Sequence, residues 1–261
     1  MVRVLGKRML LTSSGHVLLV IVLLLAQPTT AIFVLEGSPT SYAQFRKWHA
    51  GLNGSLEFEF KTEDANGLLM YTDDGGTFDF FEVKLVEGAL RLRFNLGGGA
   101  SILTVGHNLH DNAWHKVSIV REFEETRLVV DKELQSRVSR GNEFYFGNFT
   151  TNSYVYMGGM PGWYSSKLTQ LALPSVIFEP RFRGAIRNVV YANDEGPAKR
   201  QEMIEYKGVR FQKLDVCEHQ DPCQHGGICI STDNGAICNC RAIDFEGTFC
   251  EKDSYLISLK E

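Results

Sequence analysis

Six cysteines carry the most explicit chemistry in this chain of 261 residues. They are Cys217, Cys223, Cys229, Cys238, Cys240 and Cys250, spaced C-x5-C-x5-C-x8-C-x-C-x9-C within 34 residues. Thiols at that density either hold a metal or pair with one another. No C-x-x-C pair is present, the spacing that structural zinc sites use. An even count in an exported chain reads as a disulfide framework. Each bridge would contribute about 2–4 kcal/mol to a segment too short to bury a core of its own. Six cysteines alone allow fifteen pairings. His107, His110 and His115 also invite a zinc reading, but they fall on a loop and a strand start, without the i, i+4 spacing of a helical metal site. A turn followed by Trp114-His115 accounts for them. No nucleophile elbow, phosphate loop or paired catalytic carboxylates are present, so no catalytic residue is named. A secreted hydrolase would need Ser, His and Asp converging in space, which spacing does not reveal.

Export is read from the other end. Arg3, Lys7 and Arg8 precede an apolar run over residues 17–26, and small residues follow to Ala31. A basic segment, a short apolar segment and a small-residue exit describe a secretory signal peptide over residues 1–31, cleaved after Ala26 or Ala31. The run is short for a membrane span, and residues 168–178, the next apolar stretch, are interrupted by Pro174. Removing residues 1–31 takes three of the 27 Lys+Arg and none of the 31 Asp+Glu, leaving 24 against 31 and a net charge of −7. That balance argues against nucleic acid or an anionic membrane as the main partner. The mature chain reads as exported and soluble.

Residues 67–121 are the organising stretch. Glu82, Lys84, Arg91 and Arg93 alternate with Val83, Leu85, Leu90, Leu92 and Phe94, the period of strands with one buried face. Glu87-Gly88 between the two runs predicts a tight hairpin. Asp111-Asn112-Ala113-Trp114-His115 opens another strand through Arg121, and Leu56, Phe58 and Phe60 alternate with Glu57, Glu59 and Lys61 in an earlier one. Residues 41–49 read as an edge segment, 136–152 as loops with one weak strand, and 154–161 as a strand broken by Gly158-Gly159 and ended by Pro161. The strand over 182–191 reads as the last of its domain, with 208–211 a linker or returning strand. Short strands with glycine-rich turns and no helical periodicity mean an all-β sandwich or jelly roll over residues 32–212. The cysteine block then forms a second domain over 213–251, and residues 252–261 are a tail.

Six motifs, in order, carry a resemblance: Gly67-Leu68-Leu69-Met70-Tyr71, Asp79-Phe80-Phe81, Phe94-Asn95-Leu96-Gly97, Asp111 to Val117, Met157-Gly158-Gly159 and Phe182 to Arg187. They resemble a laminin G-like (LNS) domain, although Ala185 stands where many such domains have a cysteine. The cysteine block, with Gly226-Gly227 and Gly247, resembles an EGF-like module, which implies the pairing Cys217–Cys229, Cys223–Cys238 and Cys240–Cys250. Only Asp215 matches the acidic run that calcium-binding EGF modules place before the first cysteine, so the module reads as a spacer. A signal peptide, a cysteine-free laminin G-like domain and an EGF-like module together resemble the N-terminal region of an α-neurexin. The resemblance implies synaptic cell adhesion, with extracellular or cell-surface proteins as partners. Neurexins continue through further repeats to a transmembrane helix. This chain ends at Glu261, and a short secreted form and a partial gene product both stand open.

The resemblance also implies sites. Some laminin G-like domains bind Ca²⁺ at the loop-bearing rim, where Asp79, a carbonyl at Gly99 and the loop 148–150 would supply ligands. Thr150 stands where the family has Asn, and one carboxylate is few for a hard cation that takes six to eight oxygens. The favoured expectation is therefore a rim without metal, Asp73-Asp74-Gly75-Gly76 being a turn. Asn53-Gly54-Ser55 and Asn148-Phe149-Thr150 are N-glycosylation sequons. Some family members bind sulfated glycans, for which Arg181, Arg183 and Arg187 would form a basic stripe. A soluble decoy or matrix ligand is the other binding role.

Overall fold

The computed structural model describes residues 32–140, 145–147, 150–193, 196–212, 217, 221–232, 235–240 and 243–253. The expected signal peptide, Asn148, the expected boundary near residue 214 and the last eight residues lie outside them. In chain order the strands are β1 (Ile32–Glu36), β2 (Tyr42–Phe45), β3 (Asn53–Lys61), β4 (Gly67–Asp73), β5 (Phe80–Val86), β6 (Ala89–Asn95), β7 (Ser101–Val105), β8 (His115–Glu122), β9 (Glu125–Val130), β10 (Glu133–Val138), β11 (Val155–Met157), β12 (Arg183–Tyr191), β13 (Lys199–Arg200), β14 (Met203–Lys207) and β15 (Val209–Gln212). They make two antiparallel sheets. One runs β10-β9-β8-β3-β12-β1-β15, with β13 paired to β12, and the other β14-β2-β11-β4-β5-β6-β7. The all-β sandwich implied by the alternation is the observed architecture.

The two inner faces interdigitate through Phe45, Trp48, Phe58, Phe60, Phe81, Phe94, Phe146 and Phe182, all nearly fully buried. Along β5 and β6 the alternation places Val83, Leu85, Leu90, Leu92 and Phe94 inward, and the hairpin between them has Glu87 and Gly88 both at positive φ. Both central residues at positive φ make the turn that matches strand twist. By contrast β4 reads Gly-Leu-Leu-Met-Tyr-Thr-Asp and every residue of it is buried. A continuous apolar run is what a strand covered on both faces requires. Its outer cover is a strap of three 3-10 turns, Gly162–Ser166, Leu168–Gln170 and Pro174–Phe178. Beneath the strap lies a second core of Tyr42, Leu68, Tyr71, Phe80, Tyr156, Met160, Tyr164, Leu171, Leu173 and Val176.

Two expectations need correction. Residues 41–49 do not form an edge: β2 lies between β14 and β11, and all four of its residues are buried. Nor is the strand over 182–191 the last, because β14 and β15 return to close the two sheets on one side. Their exposed Ile204, Tyr206 and Phe211 look like linker composition, since an edge strand has one neighbour to bury against. Past the sandwich, β16 (Ile228–Thr232) pairs with β17 (Gly235–Asn239), and β18 (Phe245–Glu246) with β19 (Lys252–Asp253). Disulfides join Cys217 to Cys229, Cys223 to Cys238 and Cys240 to Cys250, and this region has the character of an EGF-like module.

Under the strap, Glu82 is 1% exposed on the outer face of β5, with Lys84 at 3.4 Å, while Lys84 reaches Glu179 at 2.5 Å. Two carboxylates share one ammonium, and burial pushes the Glu82 carboxyl above its ordinary value of 4.5. A native pKa raised this way gives stability that is full below pH 4.5 and is lost as pH rises through the native value. Glu82→Met keeps the Lys84–Glu179 pair and removes the buried charge. We expect it to stabilise the domain at pH 7 by about 1 kcal/mol, the gain shrinking toward pH 4.5, as chemical denaturation across that range would show.

Candidate functional site

The rim expected to carry function is the sandwich end where β4 meets β5, β6 meets β7, and β8 ends. Asp74 shapes the first of these turns, its carboxylate accepting the backbone N–H of Thr77 (2.9 Å) and Phe78 (3.1 Å). Asn95 shapes the second, accepting from Gly99 N–H and donating to the Phe78 carbonyl, both at 3.0 Å. Gly98 is packed so closely on the Arg140 backbone that any side chain would collide with it. Phe146 and Asn152 are fastened from below: Phe146 and Gly51 exchange backbone hydrogen bonds at 3.0 and 3.3 Å, and the Asn152 amide donates to the Trp48 carbonyl at 2.8 Å.

Inside this end sits a residue that the pattern along the strand did not bring forward. Arg121, at the close of β8, is 1% exposed. It donates to the Gly51 carbonyl at 2.7 Å, and its guanidinium lies 5.8 Å from the centre of the Phe81 ring. Burial pushes its pKa down to about 10, and the charge of Asp79 acts against that fall. The signal was parity: Arg121 shares its side of β8 with the buried Val117 and Ile119.

That arrangement bears on the implied Ca²⁺ ligands. Asp79 already faces the fixed charge of Arg121. The Thr150 carbonyl accepts a hydrogen bond from the Lys47 ammonium at 3.0 Å. Gly99 lies in open space at the tip of its turn. A divalent ion needs several hard oxygens and a surplus of negative charge. Here the single carboxylate and one of the carbonyls are each answered by a protein cation, so the described residues do not fit Ca²⁺.

The other candidates resolve individually. His115 holds Asp131 through Nδ1 (2.8 Å) and Asp111 through Nε2 (3.0 Å), which leaves neither nitrogen for zinc or for a serine. His107 and His110 do not join it in a ligand cluster; among the described residues the grouping with metal-ligand geometry is Asp221 with Cys223 and Cys229, and both cysteines are in disulfides. Arg183 is held bidentately by Asp64 at 2.9 Å, and Arg187 pairs with Glu59 at 2.8 Å and stacks 4.0 Å from Trp114. Arg181 lies off β12 and is half-buried, its pKa lowered by desolvation. The three arginines therefore form no free basic stripe. Asn53 opens β3 opposite Glu122 and is half-buried. Asp73 is not a turn residue but a fully buried strand end, whose carboxylate accepts from Tyr71 Oη (2.8 Å), Gly75 N–H (3.0 Å) and Ala172 N–H (3.1 Å). Among the described residues no helix is long and apolar enough to cross a membrane.

Residues 60–194 match the laminin G domain family. Neurexin 1 of Drosophila melanogaster is 57% identical over 248 aligned residues, covering 86% of this chain and 14% of that protein. Human Neurexin-2 is 32% identical over 224 residues, covering 84% of this chain and 12% of its own length. The chain thus spans about one seventh or less of these relatives. The LG1-3 region of the laminin α2 chain superposes with a TM-score of 0.58 at 19% identity, over 70% of this chain and 34% of that one. Domains LG4-5 of mouse laminin α1 give 0.57 at 17%, over 76% and 48%. At those identities the structures speak for the fold alone. The chain belongs to the laminin G domain family and, within it, is similar to the neurexins.

Proposed function

We propose that the chain is an extracellular recognition module of neurexin type, mediating cell adhesion through protein–protein contacts of its laminin G-like sandwich, with the EGF-like module as spacer. The observation that carries this reading is the 57% identity to Drosophila Neurexin 1 along most of the chain. The same relationship supports a synaptic setting and a cell-surface partner. Sulfated glycans are the weaker alternative, because Arg183 and Arg187 are already paired. Catalysis is weaker still, since His115 is held by two aspartates. The test is saturable binding of the full chain, secreted from insect cells and clustered through a C-terminal tag, to the surface of neuronal cells. Absence of binding to any cell surface would sink the reading.

Within that role we propose a rim that works without calcium, with Arg121 supplying a fixed positive charge from inside. Melting of the wild type should be the same in millimolar CaCl₂ and in EGTA. An occupied site at tenfold excess over its Kd would add about 1.4 kcal/mol, hence about 3–6 °C in a domain of this size. A shift of that size, abolished by Asp79→Asn, would restore the metal.

A further inference from the structure

The strap covers only part of the outer face of the second sheet. It ends short of the corner where β2, β11 and β14 lie side by side, and there a cleft of about 670 Å³ opens, within the range of ligand sites. Gln44 and Tyr156 form its floor, partners across β2 and β11. Around it stand Tyr154, Trp163 and Ile204, at 38, 47 and 50% exposure, with Lys47 and Glu205. Half-exposed aromatics gathered at one concavity are the composition of a recognition surface.

The floor separates a site from a surface irregularity. Its polar neighbours at this corner are answered: Tyr42 donates to Glu205 (2.6 Å), Tyr71 to Asp73 (2.8 Å), and Ser153 to the Tyr154 carbonyl (3.0 Å). Gln44 is 7% exposed, and its amide has no hydrogen-bond partner among the described residues. A primary amide on a strand, lining the cleft, offers one donor edge and one acceptor edge together. A peptide unit presents the complementary pair. A sugar would need a bare aromatic face, and the rings here are engaged: Trp163 stacks on Tyr164 at 3.8 Å with Lys167 at 5.4 Å, and Lys47 lies 5.7 Å from the Tyr154 ring. Rings so covered present edges and N–H or O–H groups, which suit backbone carbonyls. With one cation and one anion in the lining, the cleft favours an uncharged occupant.

We infer that this cleft is a peptide-docking site: an extended, uncharged segment of a partner protein pairs its backbone with the Gln44 amide and sets an apolar side chain against Tyr154, Trp163 and Ile204. It rests on the adhesion reading only in taking a protein as partner. The test pans a phage-displayed library of random linear peptides on the full chain, then titrates the selected synthetic peptides by fluorescence anisotropy. Gln44→Met and Ile204→Arg should each weaken binding about tenfold or more, and Asp79→Asn at the rim should leave it unchanged. Ile204 is half exposed, so its variant reports even where Gln44→Met disturbs folding. Peptides indifferent to both variants would overturn the inference, as would Gln44-dependent retention on an array of neutral and sialylated oligosaccharides in place of peptides. Failure of cell-surface binding sinks the adhesion reading; Gln44-independent peptide capture sinks this one.

Discussion

Arg121→Met will cost the domain about 3–5 kcal/mol, read as a lowered midpoint in chemical denaturation, because it removes a buried guanidinium that donates to the Gly51 carbonyl and whose charge acts on Asp79. The side chain is almost entirely enclosed, so the methylenes are kept by methionine and the loss isolates the guanidinium. What is left behind is the Gly51 carbonyl without its 2.7 Å donor and Asp79 without the charge that faces it. Asp79→Asn will cost less, since Arg121 keeps the Gly51 carbonyl. The double variant will recover about 0.5–3 kcal/mol against the sum of the two, the signature of direct coupling. Additive losses would mean that Arg121 fills space beside Phe81 and that Asp79 has another role. The same variants report on the rim as a binding surface. Gly51 carries Phe146, and Phe146 packs with Trp48 and Phe81. Loss of Arg121 should therefore loosen the Gly51–Phe146 pair before it unfolds the sandwich, seen as faster exchange of their amides.

Much of the fold could be read directly from period and turn chemistry. The β5–β6 hairpin announces itself because each strand has one dry face and one wet face, and Glu87-Gly88 admits the turn between them. Strands buried on both faces, or paired at one edge only, lack that contrast. That is why the pattern marks β2 as an edge and leaves β14 unmarked: Ala43 and Phe45 face one core while Tyr42 faces another, and β14 keeps Ile204 and Tyr206 in solvent. The sites were less legible for a related reason. Sequence spacing marks which residues could meet a ligand, but a neighbouring cation that pre-empts the ligand comes from a different strand. Asp79 and Arg121 are 42 positions apart, and only their shared end of the sandwich relates them. Gln44 was invisible for the opposite reason, since an amide matters here by what it does not touch.

Asp73→Ala will release the strap, at a cost of about 3–5 kcal/mol, comparable to the loss at Arg121 but localised elsewhere. The aspartate ends β4, yet two of its three donors come from beyond the strand, and one of them, Ala172 N–H, is 99 residues away. Tyr71 extends the tie, donating to Asp73 while accepting from Leu173 N–H at 3.1 Å. One carboxylate thus fixes the strap backbone over the second core, and alanine would leave two part-buried N–H groups and a buried phenol without it. Trypsin should then cut the variant at Lys167 under conditions where the wild type is intact, before the sandwich itself opens. Tyr71→Phe should lose only about 1–2 kcal/mol, because Asp73 keeps both backbone donors. The pH dependence separates charge from geometry. Burial raises the Asp73 carboxyl above its ordinary 3.8 despite three donors, so its protonation contributes stability that is full below pH 3.8 and is lost as pH rises through the native value. Asp73→Asn has no such term, and its stability relative to wild type should improve as pH rises through that window. Were the relative stability to worsen instead, the three hydrogen bonds would outweigh desolvation and the carboxylate would be the form the strap is built to hold.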